Sequence, residues 1–324
     1  MPQASASRQG AGARQRLLPP LAALATVTMF LVVVAGALVS ATGSGDGCGR
    51  SWPLCGSPTW TVEAVIEFSH RVVSGLGALA VVALAVLAVR TWPGRRDVRW
   101  LAGLAVGFLF LQAGLGAGVV IWGQPDAVLA LHFGISLVSF AAVALLALRV
   151  RWALAGRTGG TDGGAGDDVP PSLRRALWAV LGLVYVVVYT GAYVRHTRSS
   201  LACPDWPLCG APLEGAALVQ VIHRLAAALV AVALVLVAWQ AAAVRHRRPD
   251  LYRGAVAAVA LVLLQALTGG YIVLSRLDLA ATLLHSSVIT LLFTLLCHLA
   301  LEASGPGWAA APVASPARPQ GAAG

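Results

Sequence analysis

Eight long apolar segments are the feature that most constrains how this chain can fold. A helix needs about 20 mostly apolar residues to cross a membrane. The chain contains such segments at about 21–41, 64–90, 101–121, 128–149, 176–195, 217–240, 254–274 and 280–301. Only 11% of the 324 residues are charged, whereas soluble domains carry roughly 25%. The first segment exceeds the apolar region of a signal peptide, about 7–15 residues. The sequence therefore predicts an all-α integral membrane protein with eight transmembrane helices.

The second half of the sequence repeats the first with an offset of about 153 residues. The repeated features are His70-Arg71 and His223-Arg224, His132 and His285, Gln112 and Gln265, and the pentapeptide WPLCG at 52–56 and 206–210. Each half contains four apolar segments, and because four is even, both halves cross the membrane in the same direction. This is a parallel repeat about an axis along the membrane normal. We expect two pseudo-symmetric four-helix bundles.

Composition divides the chain into five parts. They are a cytoplasmic N-terminal segment at 1–20, a first four-helix half at 21–150, a cytoplasmic linker at 151–175, a second four-helix half at 176–302 and a cytoplasmic tail at 303–324. The linker is rich in Gly, Asp and Pro, which is typical of a flexible tether. The tail is rich in Gly, Ala and Pro and is expected to be disordered.

The distribution of arginine predicts the orientation. The basic residues are all arginine, and they cluster near the N-terminus and at 90–99, 149–175 and 245–253, while the intervening loops carry few. Cytoplasmic loops of membrane proteins are enriched in basic residues. Both termini are therefore expected in the cytoplasm, and both WPLCG loops outside. Short clusters between apolar runs are not the footprint of a nucleic-acid partner, and none is expected.

Four histidines share one depth in the predicted bundle. His70, His132, His223 and His285 each fall about 4–8 residues into a helix that runs inward, roughly 6–12 Å below the outer surface at 1.5 Å per residue. Ionisable residues inside spans are uncommon and usually functional. Facing histidines in an apolar bundle are typical axial ligands of haem, and small residues follow each of them. Interhelical hydrogen bonding is the alternative. Zinc is disfavoured, because no cysteine or carboxylate shares this depth in the second half.

The two halves differ beside their first histidine. Glu67 lies three residues before His70, on the same helix face, and the matching position in the second half is Gln220. This difference favours proton-coupled chemistry in the first half and a structural or electron-transfer role in the second. The alternative is an interfacial carboxylate that pairs with Arg71 or Arg50. Arg71 and Arg224 also have two interpretations. Their side chains could snorkel to the membrane interface, or they could pair with haem propionates.

Four of the five cysteines form two close pairs, Cys48 with Cys55 and Cys203 with Cys209. Both pairs lie in loops that are expected outside, where disulfides are permitted. A structural bridge is the default, a labile redox-active bridge is an alternative, and a zinc site is weaker because the CxxC spacing is absent. Cys297 is expected to be a buried filler. The three histidines without a repeat partner, His196, His246 and His298, are expected to be surface or packing residues.

Together these features resemble the haem A synthase family, in the bacterial form that has both cysteine pairs. The resemblance covers about residues 20–300, and EFSHR at 67–71 with the paired WPLCG motifs carries it. It implies an oxidoreductase of a bacterial cell membrane that oxidises the C8 methyl group of haem O to a formyl group, in successive hydroxylations. The product, haem A, serves haem–copper oxidases.

The resemblance also implies roles for individual residues. His70 and His132 would ligate the substrate haem O, and His223 and His285 would ligate a permanent haem b. Glu67 matches the functional glutamate of the family, either as a base or as a group that orients water. Cys48–Cys55 matches the pair that matters for activity, and Cys203–Cys209 matches the structural pair. The implied partners are a haem O synthase that donates substrate, haem–copper oxidase assembly, membrane lipid and an electron acceptor that the resemblance leaves unnamed.

Three other classes of function each explain only part of this residue pattern. A bis-haem b-type membrane electron carrier explains the four histidines but not the difference between Glu67 and Gln220. A membrane thiol–disulfide oxidoreductase explains the cysteines but leaves the histidines idle. A transporter predicts broken helices at mid-membrane, whereas the polar groups here cluster near the outer face.

Overall fold

The structure is a computed structural model that describes residues 2–56, 59–123, 125–156 and 169–305, with side chains from residue 14 onward. Eight α-helices account for most of it: α1 Pro2–Thr42, α2 Val62–Thr91, α3 Arg96–Trp122, α4 Asp126–Leu154, α5 Pro171–His196, α6 Gly215–Ala242, α7 Pro249–Leu274 and α8 Leu279–Ala303. Short 3₁₀ turns follow α1 and α5, at Ser44–Asp46 and Ser199–Leu201. Over the described ranges the chain forms no strand.

All eight predicted spans are confirmed as helices that are long and apolar enough to cross a membrane. The helices extend beyond the apolar segments by a few residues at most ends. The largest difference is in α1, which begins at Pro2 and continues through Pro19 and Pro20, whereas the apolar run begins near residue 21. Hydropathy marks only the part of a helix that matches lipid, and proline is tolerated within membrane helices.

The helices associate as the repeat predicts. Consecutive helices form hairpins, with α1 against α2, α3 against α4, α5 against α6 and α7 against α8. Contacts between α1 and α4 close the first half, and contacts between α5 and α8 close the second. The halves meet through these same four helices, and α4 is the most buried span. The outer helices α2, α3, α6 and α7 therefore flank a central group of four.

Apolar side chains pack inside the bundle and also cover its outside. Leu84, Leu146, Leu234 and Leu292 are fully buried, yet Leu79 and Trp239 on the outer helices are more than 70% exposed. A lipid-facing surface has this character because hydrocarbon, unlike water, does not penalise exposed apolar groups. The exposed faces of the outer helices thus agree with the prediction of a multi-pass membrane protein.

Candidate functional site

Each of the four repeated histidines packs its ring against a glycine on the preceding helix. A Cβ atom built on that glycine would lie 3.2 Å from Cε1 of His70 at Gly36, 3.2 Å from His132 at Gly116, 2.8 Å from His223 at Gly191 and 3.1 Å from His285 at Gly269. These distances are shorter than ordinary van der Waals contact, so a larger residue would displace the ring. The glycines therefore fix where the imidazoles lie within each hairpin.

The histidines come together in two pairs, one in each half. His223 and His285 line one cavity, and His70 and His132 occupy the equivalent positions of the first half. Over the described ranges no group of three or more His, Cys, Asp or Glu side chains converges as a metal site. Paired imidazoles between facing helices match the two axial positions of a haem iron, whereas a structural zinc site needs four ligands.

In the second half the histidines line a cavity of about 500 Å³. Its walls are mostly apolar and come from α5 to α8, with Ala37, Ser40 and Phe133 contributed by the first half. Binding sites for small molecules and cofactors are typically 300–1,000 Å³, apolar and furnished with a few polar groups. A cavity with this lining and two facing imidazoles fits a porphyrin, which needs apolar walls and axial nitrogen ligands.

Threonine side chains hold the Nδ1 atoms of the second-half histidines. Thr190 Oγ1 lies 2.9 Å from His223 Nδ1, and Thr268 Oγ1 lies 2.9 Å from His285 Nδ1. Both threonines stand immediately before the glycines that the imidazoles contact. A hydrogen bond at Nδ1 leaves Nε2 as the atom that can bind a metal.

The first-half histidines lack this support. The buried Nδ1 atoms of His70 and His132 have no side-chain hydrogen-bond partner in the described part of the chain, although the backbone of Gln112 interacts with His132 as that of Gln265 does with His285. Ala35 precedes Gly36, and Leu115 precedes Gly116, so neither position offers a hydroxyl group. The two pairs thus share the glycine contacts but differ in what surrounds the imidazole.

Glu67 and Gln220 occupy equivalent positions and bind the first cysteine of each loop. The backbone N–H of Cys48 donates to Glu67 Oε2 at 2.8 Å, and that of Cys203 donates to Gln220 Oε1 at 2.7 Å. Gln220 also donates to the carbonyl of Ser200 at 2.7 Å. Both side chains are buried. The carboxylate and the amide therefore accept the same hydrogen bond from the disulfide loop, and they differ in charge.

Arg71 and Arg224 fold back onto the outer loops. Arg71 Nη1 donates to the carbonyl of Ser51 at 2.6 Å, and its Nη2 pairs with Glu67. Arg224 Nη1 donates to the carbonyl of Asp205 at 2.7 Å, and its Nη2 donates to that of Cys203 at 2.9 Å. The pairing of Glu67 with Arg71 matches one of the two interpretations of that carboxylate. The loop contacts are a role for both arginines that neither snorkelling nor propionate pairing describes.

Both cysteine pairs are joined as disulfides in the structure, Cys48 with Cys55 and Cys203 with Cys209. Cys297 is a free thiol, partly buried within α8. The loops pack differently against their bundles. Trp206 lies against Gly270, where an added Cβ would come within 2.7 Å of the indole, whereas Trp52 is half exposed and the repeat position of Gly270 is Ala117.

His196 lies in a partly buried position at the last residue of α5. Together with Arg195 it lines the second-half cavity. Arg195 Nη2 also donates to the carbonyl of Ser40 at 2.8 Å, which ties α5 to α1. His246 is exposed, and His298 packs edge-on against Trp152, as expected.

Sequence reasoning singled out the histidines as candidates but missed the glycines and threonines that contact them. The small residues expected to matter were those that follow each histidine, whereas the contacts come from glycines on the preceding helix. Two of these glycines, Gly116 and Gly269, share the 153-residue offset of the histidines. That coincidence could have identified them. Thr190 and Thr268 break the repeat, so a comparison of the halves could have singled them out as well.

Comparison with known proteins agrees with this architecture. Residues 58–297 match the cytochrome oxidase assembly protein family COX15-CtaA. The chain is 44% identical over 304 residues to the protein named Heme A synthase from Geobacillus kaustophilus (strain HTA426), covering 89% of this chain and 92% of that one. It is 42% identical to the protein of the same name from Geobacillus thermodenitrificans, which covers 89% of this chain and 92% of that one. It is also 42% identical to the protein of that name from Lysinibacillus sphaericus (strain C3-41), which covers 88% of this chain and 94% of that one. A match of this length and identity places the chain in the COX15-CtaA family of cytochrome oxidase assembly proteins.

Proposed function

We propose that this chain is a haem A synthase, which oxidises the C8 methyl group of haem O to a formyl group through successive hydroxylations. The similar proteins that bear this name cover nearly the whole chain. The product would supply haem–copper oxidase assembly, in keeping with the family to which the chain belongs. The reaction class and the identities of the haems are part of this proposal.

The observation that carries the proposal is the unequal environment of two otherwise equivalent histidine pairs. The second pair, His223 and His285, lines a preformed apolar cavity and is fixed at Nδ1 by threonines. The first pair, His70 and His132, has no side chain bound at Nδ1, and a buried carboxylate, Glu67, lies three residues before His70. A site that keeps its haem and a site that exchanges and transforms it need this difference.

Haem b would therefore be the resident cofactor of the second half, with axial ligands His223 and His285. Haem O would be the substrate of the first half, bound between His70 and His132. When bound, the haem iron would supply the redox chemistry, and an electron acceptor outside this chain would take up the electrons removed from the methyl group. His70 and His132 would hold the macrocycle, and the apolar helix faces would exclude water.

Glu67 would serve the reaction as a proton acceptor or as a group that orients water. The backbone N–H of Cys48 and the guanidinium of Arg71 hold its carboxylate in place. Gln220 has the equivalent position and cannot accept a proton at neutral pH, so only the first half carries a group with this chemistry. Arg71 and Arg224 stay candidate propionate contacts. A guanidinium has five N–H donors, and the loop carbonyls use only part of this set.

The proposed setting is a bacterial cell membrane, with both termini in the cytoplasm and the disulfide loops outside. Arginines are concentrated at the end of the bundle opposite the disulfides, which supports this orientation. The two proposed halves, 21–150 and 176–302, are joined by a linker of which residues 157–168 lie outside the described residues, as does most of the proposed tail. A haem O synthase would deliver the substrate in the same membrane.

The test is expression in a bacterial host that makes haem O and lacks haem A, followed by chromatography of total membrane haem. Haem A should accumulate with the wild-type chain. The variant His70→Ala/His132→Ala should lose haem A and keep protein-bound haem b, whereas His223→Ala/His285→Ala should lose the bound haem b. No haem A from the wild-type chain, with haem b bound in both halves, would instead identify a bis-haem electron carrier.

A further inference from the structure

Two threonines distinguish the second histidine pair from the first, and we infer that Thr190 and Thr268 are positioning residues that lock the resident haem in place. The inference rests on the proposed function, because it assigns that haem to the second half. Each threonine is followed by the glycine that accommodates its imidazole, so a Thr-Gly dipeptide on α5 and another on α7 hold the two ligands.

The hydrogen bonds of the threonines determine where the imidazole proton lies. Thr190 Oγ1 donates its single proton to the carbonyl of Val187 at 2.8 Å, and Thr268 Oγ1 donates to the carbonyl of Gln265 at 3.0 Å. A hydroxyl group has one hydrogen to donate and two lone pairs that accept. The carbonyl can only accept, so both contacts of each hydroxyl are satisfied together only when Nδ1–H of the histidine donates to its threonine at 2.9 Å.

The consequence is that each imidazole has a defined tautomer, in which Nε2 is free to bind a metal. When Nδ1 carries the proton, Nε2 of His223 and His285 presents a lone pair, and both rings border the same cavity. A metal-bound histidine almost always donates its other N–H to an acceptor, and this fixes the ring and strengthens the ligand. The threonines meet that requirement within the apolar bundle, without haem being present.

The first half has the same glycines without the hydroxyls. Ala35 and Leu115 stand where Thr190 and Thr268 stand in the second half, and no side chain accepts a hydrogen bond from the buried Nδ1 atoms of His70 and His132. An imidazole without an Nδ1 acceptor is a weaker and less oriented ligand. Weaker ligation suits a site from which a modified macrocycle must leave after each reaction cycle.

The experiment measures release and reduction of haem b in the purified full-length protein. Valine matches the shape of threonine but has no hydroxyl, so Thr190→Val and Thr268→Val remove only the hydrogen bond. We expect transfer of haem b to excess apomyoglobin to accelerate about 10- to 100-fold, and the midpoint reduction potential to rise because the ligand donates less charge. Thr190→Ser and Thr268→Ser keep the hydroxyl and should restore the wild-type behaviour.

A buried threonine on α8 that does not contact a histidine provides the matched control. Thr290 is fully buried and donates only to the carbonyl of Ser286, within its own helix. Thr290→Val should leave the transfer rate and the potential unchanged. Equal transfer rates and potentials for wild type, Thr190→Val and Thr268→Val would overturn the inference, as would serine variants that behave like the valine variants.

The reciprocal substitution separates this inference from the proposed function. Ala35→Thr/Leu115→Thr installs both hydroxyls in the first half and should slow the release of haem from that site. If the wild-type protein holds no haem in the second half, the proposed assignment of haem b fails. If it holds haem b but the threonine variants release it at the wild-type rate, only the positioning role fails.

Discussion

Arg149 and Glu302 stand 153 residues apart, at the same position of the two halves, and they pair with each other across the interface between α4 and α8. Both side chains are almost fully buried. Arg149 also stacks its guanidinium 4.6 Å from the ring centroid of Trp152. An exact repeat would place like charges at this contact. The opposite charges instead join the halves at the end of the bundle away from the disulfides.

Removing one member of this pair should destabilise the protein. Arg149→Met leaves the Glu302 carboxylate buried without its cation, which typically costs about 3–5 kcal/mol. The thermal unfolding midpoint of the detergent-purified protein is the measurement. Arg149→Met/Glu302→Met replaces both charges with apolar groups and should recover much of the loss. If the losses of the two single variants, Arg149→Met and Glu302→Met, add up to the loss of the double variant, the pair does not couple the halves.

Substitution of Glu67 separates its anchoring role from its chemistry. Gln220 shows that an amide can accept the N–H of the first loop cysteine, so Glu67→Gln should keep the fold and the bound haem. Product formation should fall by about 10²- to 10⁴-fold, the usual contribution of a general acid or base. The measurement is the amount of haem A per protein.

Glu63→Gln is the matched control for that experiment. Glu63 lies one helical turn before Glu67 on α2 and is exposed, so haem A formation should stay at the wild-type level. A Glu67→Gln variant with wild-type activity would reduce Glu67 to a loop anchor.

The arginine that follows each first histidine should keep its disulfide loop closed. Arg224→Met removes the donors to the carbonyls of Asp205, Leu208 and Cys203. Hydrogen bonds from charged groups contribute about 1.5–3 kcal/mol each, so reduction of Cys203–Cys209 should accelerate on the order of tenfold or more. Mass spectrometry after thiol labelling gives the rate. Arg276→Met, at an exposed turn, should leave the reduction rate unchanged. Equal reduction rates for the two variants would show that Arg224 does not hold the disulfide loop closed.

A methyl group at Gly191 should displace the haem ligand that packs on it. A Cβ there would lie 2.8 Å from His223 Cε1, which is too close for either group to keep its place. Gly191→Ala should therefore lower the haem b content of the purified protein, measured as pyridine haemochrome per chain. Gly182→Ala on the same helix has open space around it and should retain the full haem content. Full haem occupancy in Gly191→Ala would contradict the proposed ligand position.

The eight spans could be predicted from local sequence pattern, and the four histidines were candidates because they recur at one offset. An apolar segment of about 20 residues predicts a transmembrane span, and a repeat in the sequence predicts a repeat in the structure. The supporting residues show no such pattern. Thr190 is one of many threonines in apolar segments, and only the packing of α5 against α6 brings it to His223.

The contacts of Arg71 show a second limit of sequence reasoning. Its charge and its place beside His70 favoured a haem propionate as its partner, or the membrane interface. The structure directs its donors to the carbonyl of Ser51 and to Glu67, because the disulfide loop folds back over the start of α2. A loop conformation of this kind depends on tertiary contacts rather than on local residue pattern.

The most direct test of the central claim is the mass of the haem extracted from the purified protein after co-expression with a haem O synthase. The account predicts haem b together with haem A or its hydroxymethyl precursor, the mark of stepwise oxidation at one methyl group. Haem b alone, with haem O present in the membrane and unchanged, would contradict it.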